Sequence, residues 1–197
     1  MKFKNQTKRM STETLALGAI LTALVVVLQF IAAALVRLGL FSVSLVLIPI
    51  VIGAATCGAG MGAWLGFIFG VTVLLSGDAA AFLTVDVLGT VLVVLLKGTL
   101  AGLVAGLVYK LLEKLNRVVA VIASAVVCPL VNTGIFLLGG WIFFLDTLTE
   151  WGKSFGYDNV VAYMFFGLVG FNFLFELGLN VVLGPVIVRL LNYKKRK

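Results

Sequence analysis

The sequence predicts an all-α membrane protein, a compact bundle of six transmembrane helices with both termini in the cytoplasm. Hydrophobic residues make up 62% of the 197 residues and charged residues only 12%, which is more apolar than a soluble domain of this length needs. Several apolar runs reach the roughly 20 helical residues that cross the hydrocarbon of a bilayer. We expect a single membrane domain over residues 1–197, with a basic segment at 1–12 and a basic tail at 192–197.

Six apolar stretches are the candidate spans: 13–36, 45–57, 60–76, 88–112, 118–145 and 160–191. The first stretch is longer than twenty residues and no small-residue cleavage site follows it, so we expect it to remain as a span. The second and third stretches are short, and only the Gly-rich turn CGAGMG separates them. A single long hairpin or a re-entrant pair is the alternative for this part of the chain.

The basic residues predict how the bundle is oriented. Six spans put three basic groups on one side of the membrane: Lys2, Lys4, Lys8 and Arg9; Lys110, Lys114 and Arg117; and Arg189 with the basic residues at 194–197. By the positive-inside rule that side is the cytoplasm. The opposite loops hold mostly acidic residues, so the net charge of +7 reflects contact with a lipid bilayer and not with nucleic acid.

Several kinds of chemistry lack the residues that they need. Histidine is absent, and Cys57 and Cys128 lie inside apolar stretches, so the sequence predicts neither a metal site nor a bound cofactor. An intramembrane enzyme would also need a nucleophile with a base, or paired aspartates within the spans, and neither is found. We therefore do not expect an enzyme. No Walker P-loop occurs, so energy from ATP would have to come through a partner.

Two ionisable residues lie deep inside the candidate spans. Lys97 comes about nine residues into the fourth span, and Glu176 lies near the middle of the sixth. A charge at the bilayer midplane costs several kcal/mol, so such residues usually pair or line a water-filled cavity. Since both spans run in the same direction, an ion pair between Lys97 and Glu176 that locks two helices is one interpretation. Contact of one or both groups with a polar solute is the other.

Amides and hydroxyls accompany these charges. Asn172, Glu176 and Asn180 follow at steps of four residues, which places them on one stripe of a helix. Asn132 and Thr133 come just after Pro129, and Gln29 or Thr90 would add further polar groups. Each amide alone is explained by a hydrogen bond to a neighbouring helix, but a structural lock rarely needs so many. The predicted substrate-binding residues are Lys97, Asn132, Thr133, Asn172, Glu176 and Asn180.

Aromatic residues crowd the outer ends of the fifth and sixth spans, from Trp141 and Phe144 to Trp151 and Tyr163. We interpret most of them as the aromatic belt that membrane proteins place at the interface with water. A few of them could instead wall a pocket that opens to the outside.

The first span contains two small-xxx-small pairs, Gly18 with Thr22 and Ala19 with Ala23. Small side chains let another helix approach closely, whether it belongs to the same bundle or to another protein. The fourth span repeats the spacing with glycines at positions 98, 102 and 106, where we expect packing within the chain.

The layout resembles a known family. A chain of this length with six spans, termini inside, the Ala19 and Ala23 pair, a loop leading into LIPIVIGA and no ATPase motif is similar to the substrate-binding S component of an energy-coupling factor (ECF) vitamin transporter. The resemblance implies a subunit of the bacterial cytoplasmic membrane that captures a water-soluble vitamin from outside. It also implies an energising module, made of one coupling membrane protein and two ATPases, which drives release into the cytoplasm.

The resemblance also assigns roles to residues. Gly18, Ala19, Thr22 and Ala23 fall where the family contacts the coupling protein. The segment 37–44, with Arg37, Phe41, Ser42 and Ser44, falls where the family has a loop that closes over the vitamin. The polar residues of the fourth, fifth and sixth spans fall where the family's pocket lies.

The identity of the vitamin is less clearly encoded. Riboflavin-specific members carry an acidic, serine-containing stretch where this chain has FSVSLVLIPI, so riboflavin is disfavoured. Pantothenate is weakly favoured, because a lysine and several asparagines would suit its carboxylate, hydroxyls and amide; folate or another small vitamin would suit nearly as well. A self-sufficient secondary carrier or a membrane scaffold is the alternative function.

Overall fold

The computed structural model describes the backbone of residues 11–37 and 45–195, and their side chains except at 36, 37, 171 and 184–195. Within these ranges all regular structure is helical, so the predicted all-α class is confirmed. The elements are α1 Thr12–Arg37, α2 Leu47–Cys57, α3 Ala59–Ser76, α4 Ala80–Leu83, α5 Val87–Leu112, α6 Arg117–Phe143, α7 Leu145–Ser154, α8 Val160–Ala162, a π-helical turn Tyr163–Leu168 and α9 Gly170–Lys195.

Four of these helices are long and apolar enough to cross a membrane, namely residues Thr12–Leu35, Ala59–Ser76, Val87–Leu112 and Arg117–Phe143. A fifth candidate is the bent pair Val160–Leu168 and Asn172–Leu183. α2 has only 11 residues and therefore a length of about 16 Å, about half of the hydrocarbon thickness. The count of six spans stays a prediction, and the structure supports four to five apolar span candidates.

The short second and third stretches form a helix–turn–helix. α2 ends at Cys57 and α3 begins at Ala59, and Gly58 between them has a φ of 94°, which a residue with a side chain rarely adopts. The two helices are thus separate elements, joined by one glycine.

Glycines bring α3 and α5 into backbone contact. A Cβ added to Gly66 would collide with the carbonyl of Gly98, and one added to Gly62 would collide with that of Gly102. The predicted intramolecular packing of the fourth-span glycines is therefore confirmed. This close approach holds α5, the helix that carries Lys97, at a fixed distance from α3.

α6 packs on the other side of α5 and carries the predicted Asn132 and Thr133. Its N-terminus is capped by Asn116, whose side chain accepts hydrogen bonds from two backbone N–H groups, and it continues through Pro129. The buried Ser124 hydroxyl donates a 2.8 Å hydrogen bond to the Ala105 carbonyl of α5. The helix ends at Phe143, two residues before the predicted limit, because the separate helix α7 begins at Leu145.

The last candidate span is bent by 44° where the π-helical turn meets α9. A π-helical turn widens the helix by about one residue per turn and is frequent at functional sites. Beyond the bend, the first two turns of α9 carry Asn172 and Glu176.

The two small-residue pairs of α1 lie in different environments. Gly18 is buried against Met61, and the Thr22 hydroxyl donates to the Gly18 carbonyl at 2.8 Å and accepts from the Trp64 indole at 3.3 Å. Ala19 and Ala23 are exposed on the surface of the chain. The Gly18 and Thr22 pair therefore packs within the bundle, against α3, and the alanine pair does not.

Candidate functional site

A cavity of about 360 Å³ lies among α3, the turn after it, α4, α5, α6, and the bent last span. Its polar lining residues are Asp78, Thr90, Lys97, Asn132, Thr133, Asn172 and Glu176, and its apolar ones include Phe82, Phe136, Phe144 and Phe173. Five of the six residues predicted to bind substrate therefore line one cavity: Lys97, Asn132, Thr133, Asn172 and Glu176. The volume is within the range of small-molecule sites, about 300 to 1,000 Å³.

Lys97 projects from α5 towards two aromatic rings and two carboxylates. Its Nζ lies 4.9 Å from the ring centroid of Phe136 and 5.8 Å from that of Phe69, distances at which a cation is attracted to the ring face. Asp78 and Glu176 line the same cavity, and both carboxylates favour the charged form of the Lys97 side chain. Asp78 is thus a third ionisable residue of the cavity beside Lys97 and Glu176, and it was not singled out from the sequence.

Asp78 enters the cavity lining because of the backbone conformation just before it. α3 ends at Ser76, and Gly77 has a φ of 77°, which reverses the chain so that Asp78 lies at the cavity mouth. The carboxylate accepts a 3.1 Å hydrogen bond from the side-chain amide of Gln29 in α1, a residue that is 1% exposed. Asp78 itself remains exposed, as a residue at the entrance of an open cavity would.

Asn132 contributes a buried acceptor. Its Oδ1 is one of two buried side-chain atoms in the described part of the chain for which the structure shows no hydrogen-bond partner; the other is Oδ1 of Asn180. An unpaired buried polar atom costs about 1–3 kcal/mol, so such atoms are rare in folded proteins. Since Asn132 also lines the cavity, its unpaired acceptor is an observation that points to a ligand.

The predicted stripe on α9 divides into two parts. Asn172 and Glu176 line the cavity, and Glu176 is 9% exposed. Asn180 is 1% exposed, does not line this cavity, and donates from its Nδ2 to the Glu176 backbone carbonyl at 2.8 Å. Residues four apart are slightly rotated relative to one another around a helix, and Asn180 lies one helical turn further along α9 than Glu176, deeper in the bundle.

The aromatic residues of the cavity belong to a cluster around Phe82 of α4. This ring makes edge-to-face contacts with Phe136, Phe144 and Trp151, at centroid distances of 5.6, 5.1 and 5.4 Å. Two of the predicted belt residues, Phe144 and Trp151, are thus in contact with the ring that lines the cavity. Phe82 and Phe136 were missed, because a phenylalanine in an apolar run carries no signal that separates a pocket wall from a lipid-facing residue.

Two other groups of predicted residues lie away from this cavity. Phe41, Ser42 and Ser44 of the predicted gating loop are outside the described residues, and Arg37 is described only as the last backbone residue of α1. The predicted partner-contact residues are on α1 and do not line the cavity.

The cavity opens at the acidic end of the bundle. Its lining includes the turn after α3 and residues from the C-terminal half of α6. Lys110 near the C-terminus of α5 and Arg117 at the N-terminus of α6 lie at the other end of the bundle. In the described part of the chain, no group of three or more acidic or thiol side chains could hold a metal ion. The polar side chains and the rings of the lining are suited to hold an organic solute by hydrogen bonds, charge and ring contacts.

A comparison with models of protein families matches residues 13–188 to the ECF transporter substrate-specific component. Comparisons with curated proteins and with solved structures gave no significant match. The family match covers most of the chain, including all the cavity-lining residues.

Proposed function

Since this chain belongs to the family of ECF transporter substrate-specific components, we propose that it captures a water-soluble vitamin from outside the cell for ATP-driven uptake. Members of this family are transport subunits of the membrane that bind a small-molecule substrate and work with an energising module. The family and the apolar helices make this chain a multi-pass membrane protein.

The polar cavity is the single observation that best supports substrate capture. Charged and amide groups from α5, α6 and α9 converge on one volume of about 360 Å³. A purely structural lock would be sealed, with its polar atoms paired to one another. The open volume and the unpaired Oδ1 of Asn132 favour a guest that replaces water.

We propose that the cavity faces outwards in the bacterial cytoplasmic membrane. The turn that links α5 and α6 carries Lys114 at the end opposite to the cavity, and the positive-inside rule assigns such an end to the cytoplasm. Both termini would then be cytoplasmic, as the sequence predicts for six spans. The segment 37–44 would close over the bound vitamin.

We propose that the energising module comprises a coupling membrane protein and two ATPases, and that it docks on the exposed Ala19 and Ala23 of α1. Their exposure supports this, because small residues on a membrane-facing surface let a partner helix approach closely. Gly18 and Thr22 lie on another side of α1 and pack against α3, so they would hold α1 in place for this contact.

Pantothenate is one candidate ligand. Lys97 would pair with its carboxylate, and Asn132, Thr133 and Asn172 would hydrogen-bond its hydroxyls and amide. Asp78 supports a second candidate class, since a second carboxylate beside Lys97 favours a vitamin that carries a positive charge.

Ligand binding by the purified protein tests the proposal. The protein in detergent would be titrated by calorimetry with thiamine, pyridoxamine, pyridoxine, pantothenate, biotin, folate and riboflavin, and we expect one of them to bind with micromolar or tighter affinity. The lack of any such ligand would contradict vitamin capture.

Transport by reconstituted vesicles separates the proposal from its rival. We expect uptake of the bound vitamin only when an energising module and ATP are present. Uptake by this protein alone, driven by an ion gradient, would instead show a self-sufficient secondary carrier.

A further inference from the structure

We propose that the cavity selects a ligand that carries a cationic nitrogen and several hydrogen-bond donors, and that it discriminates against a carboxylate-bearing ligand. This inference rests on the proposed function, and of the two candidate ligand classes named there it selects the cationic one over pantothenate. It is carried by the balance of charges and of hydrogen-bond acceptors in the cavity lining.

The charges in the lining favour a positive guest. Its ionisable side chains are Asp78, Lys97 and Glu176, which is one ammonium group against two carboxyl groups. The ammonium group already has favourable interactions with both acids and with the faces of Phe69 and Phe136. An anionic ligand would add a third negative charge to a site where the two carboxylates already balance the single Lys97 cation. The site is partly desolvated, so like charges there repel strongly.

The hydrogen-bond acceptors point the same way. Oδ1 of Asn132 is buried without a partner, and it needs an N–H or O–H group. The Thr90 hydroxyl donates to the Asp86 carbonyl at 2.6 Å, so its oxygen presents lone pairs and no further hydrogen. A ligand rich in N–H groups would satisfy these acceptors, and a carboxylate would supply none.

The aromatic wall suits the same chemistry. The rings of Phe82, Phe136 and Phe144 line the cavity, and ring faces attract cations and stack on planar heterocycles. A cationic or protonated nitrogen on a planar ring would therefore meet the carboxylates and the rings together.

Asp78 and Glu176 have different parts in this selection. Asp78 is exposed at the mouth, where Gln29 holds its carboxylate, so it would attract the ligand during entry. Glu176 is nearly buried and would act on the seated ligand. Lys97 then serves as the cation that keeps the empty cavity balanced, and the bound ligand competes with it for the carboxylates.

A matched series of ligands tests the charge preference. Pyridoxamine, pyridoxine and 4-pyridoxate share one ring and differ in charge, and pantothenol is pantothenate without the carboxylate; thiamine supplies a permanent cation. We expect thiamine or pyridoxamine to bind at least about tenfold more tightly than any anion of the panel, and each neutral ligand to bind more tightly than its anionic partner.

Two variants with opposite expected effects sharpen the test. Glu176→Gln should weaken binding of the cationic ligand on the order of 10- to 100-fold, because the negative charge is lost and a charge-assisted hydrogen bond becomes a neutral one. Lys97→Met should raise that affinity, since the competing cation is gone. Lys110→Met at the far end of the same helix is the matched control and should change nothing.

The possible outcomes separate this inference from the proposed function. If pantothenate or biotin binds tightly and Lys97→Met abolishes that binding, the inference is overturned and vitamin capture stands. If Lys97→Met abolishes binding of the cationic ligand while the unfolding temperature stays unchanged, the inference is also overturned. If no ligand of either panel binds, the proposed function fails and this inference fails with it.

Discussion

The side-chain amide of Gln29 donates a hydrogen bond of 3.1 Å to the carboxylate of Asp78. This bond joins the C-terminal half of α1 to the turn after α3, and the two residues are 49 positions apart in sequence. It therefore connects the helix that carries the exposed alanine pair to the mouth of the cavity.

Gln29→Glu should destabilise the protein at neutral pH. The substitution places a carboxylate against that of Asp78, in a position that is 1% exposed, and we expect a loss of about 2–3 kcal/mol from the lost bond and the repulsion. The loss should shrink as the pH falls, because protonation of the introduced glutamate removes the repulsion. Thermal unfolding in detergent at two pH values measures it.

The double variant Gln29→Glu with Asp78→Asn is the matched control. It exchanges donor and acceptor, so the bond forms in the opposite direction and at least about 1 kcal/mol of the loss should return. A double variant that is no more stable than Gln29→Glu would show that this contact contributes nothing to folding.

Asn132→Leu should separate stability from binding. Leucine branches at Cγ as asparagine does, with methyl groups in place of the oxygen and the nitrogen, and it removes the unpaired buried acceptor, so the ligand-free protein should keep its unfolding temperature or gain stability. The affinity for the tightest ligand should fall on the order of tenfold or more, which is about 1.4 kcal/mol. Thermal unfolding without ligand and titration with ligand measure the two effects.

Ser124→Ala on the same helix is its control. The Ser124 hydroxyl is buried and has its partner in Ala105, so this variant should lose about 1 kcal/mol of stability and bind ligand normally. If Asn132→Leu behaved like Ser124→Ala, the Asn132 side chain would have a structural role only.

Gly102→Ala should weaken the contact between α3 and α5. The new methyl group would collide with the Gly62 carbonyl, a backbone atom that cannot turn aside, so we expect a loss of about 1–3 kcal/mol. Gly178→Ala is the comparison, because its Cβ would meet nothing within 4 Å and alanine favours a helix by about 0.5–1 kcal/mol over glycine. Equal unfolding temperatures for the two variants would contradict the close packing.

Charge and periodicity in the sequence were sufficient to identify much of the cavity. Lys97 and Glu176 could be found because a charge inside a span is costly, and Asn172 because it shares a helix face with Glu176. Asp78 could not, because its place depends on the left-handed turn at Gly77 and on Gln29 from a distant helix. The bend before α9 was also beyond sequence reasoning, since an apolar run does not encode where a helix breaks.

Cysteine labelling should establish the orientation of the bundle. In a background with Cys57→Ala and Cys128→Ala, we expect Asp146→Cys in α7 to react with a membrane-impermeant maleimide in intact cells. Lys114→Cys in the turn after α5 should react only after the cells are permeabilised. Both positions are exposed on the protein, so the side of the membrane on which each lies decides whether the reagent reaches it. The opposite labelling pattern would show that the cavity faces the cytoplasm, which would contradict capture from outside.

Ala23→Leu should uncouple binding from transport. Ala23 is exposed and does not line the cavity, so ligand affinity should stay within about twofold, which corresponds to about 0.4 kcal/mol. A leucine there would hold a partner helix away from α1, and uptake with the energising module should fall by about tenfold or more. Ala34→Leu, exposed on the same helix 11 residues later, or about 16 Å away, should transport normally. If Ala23→Leu also transports normally, the module must dock on another surface of the bundle.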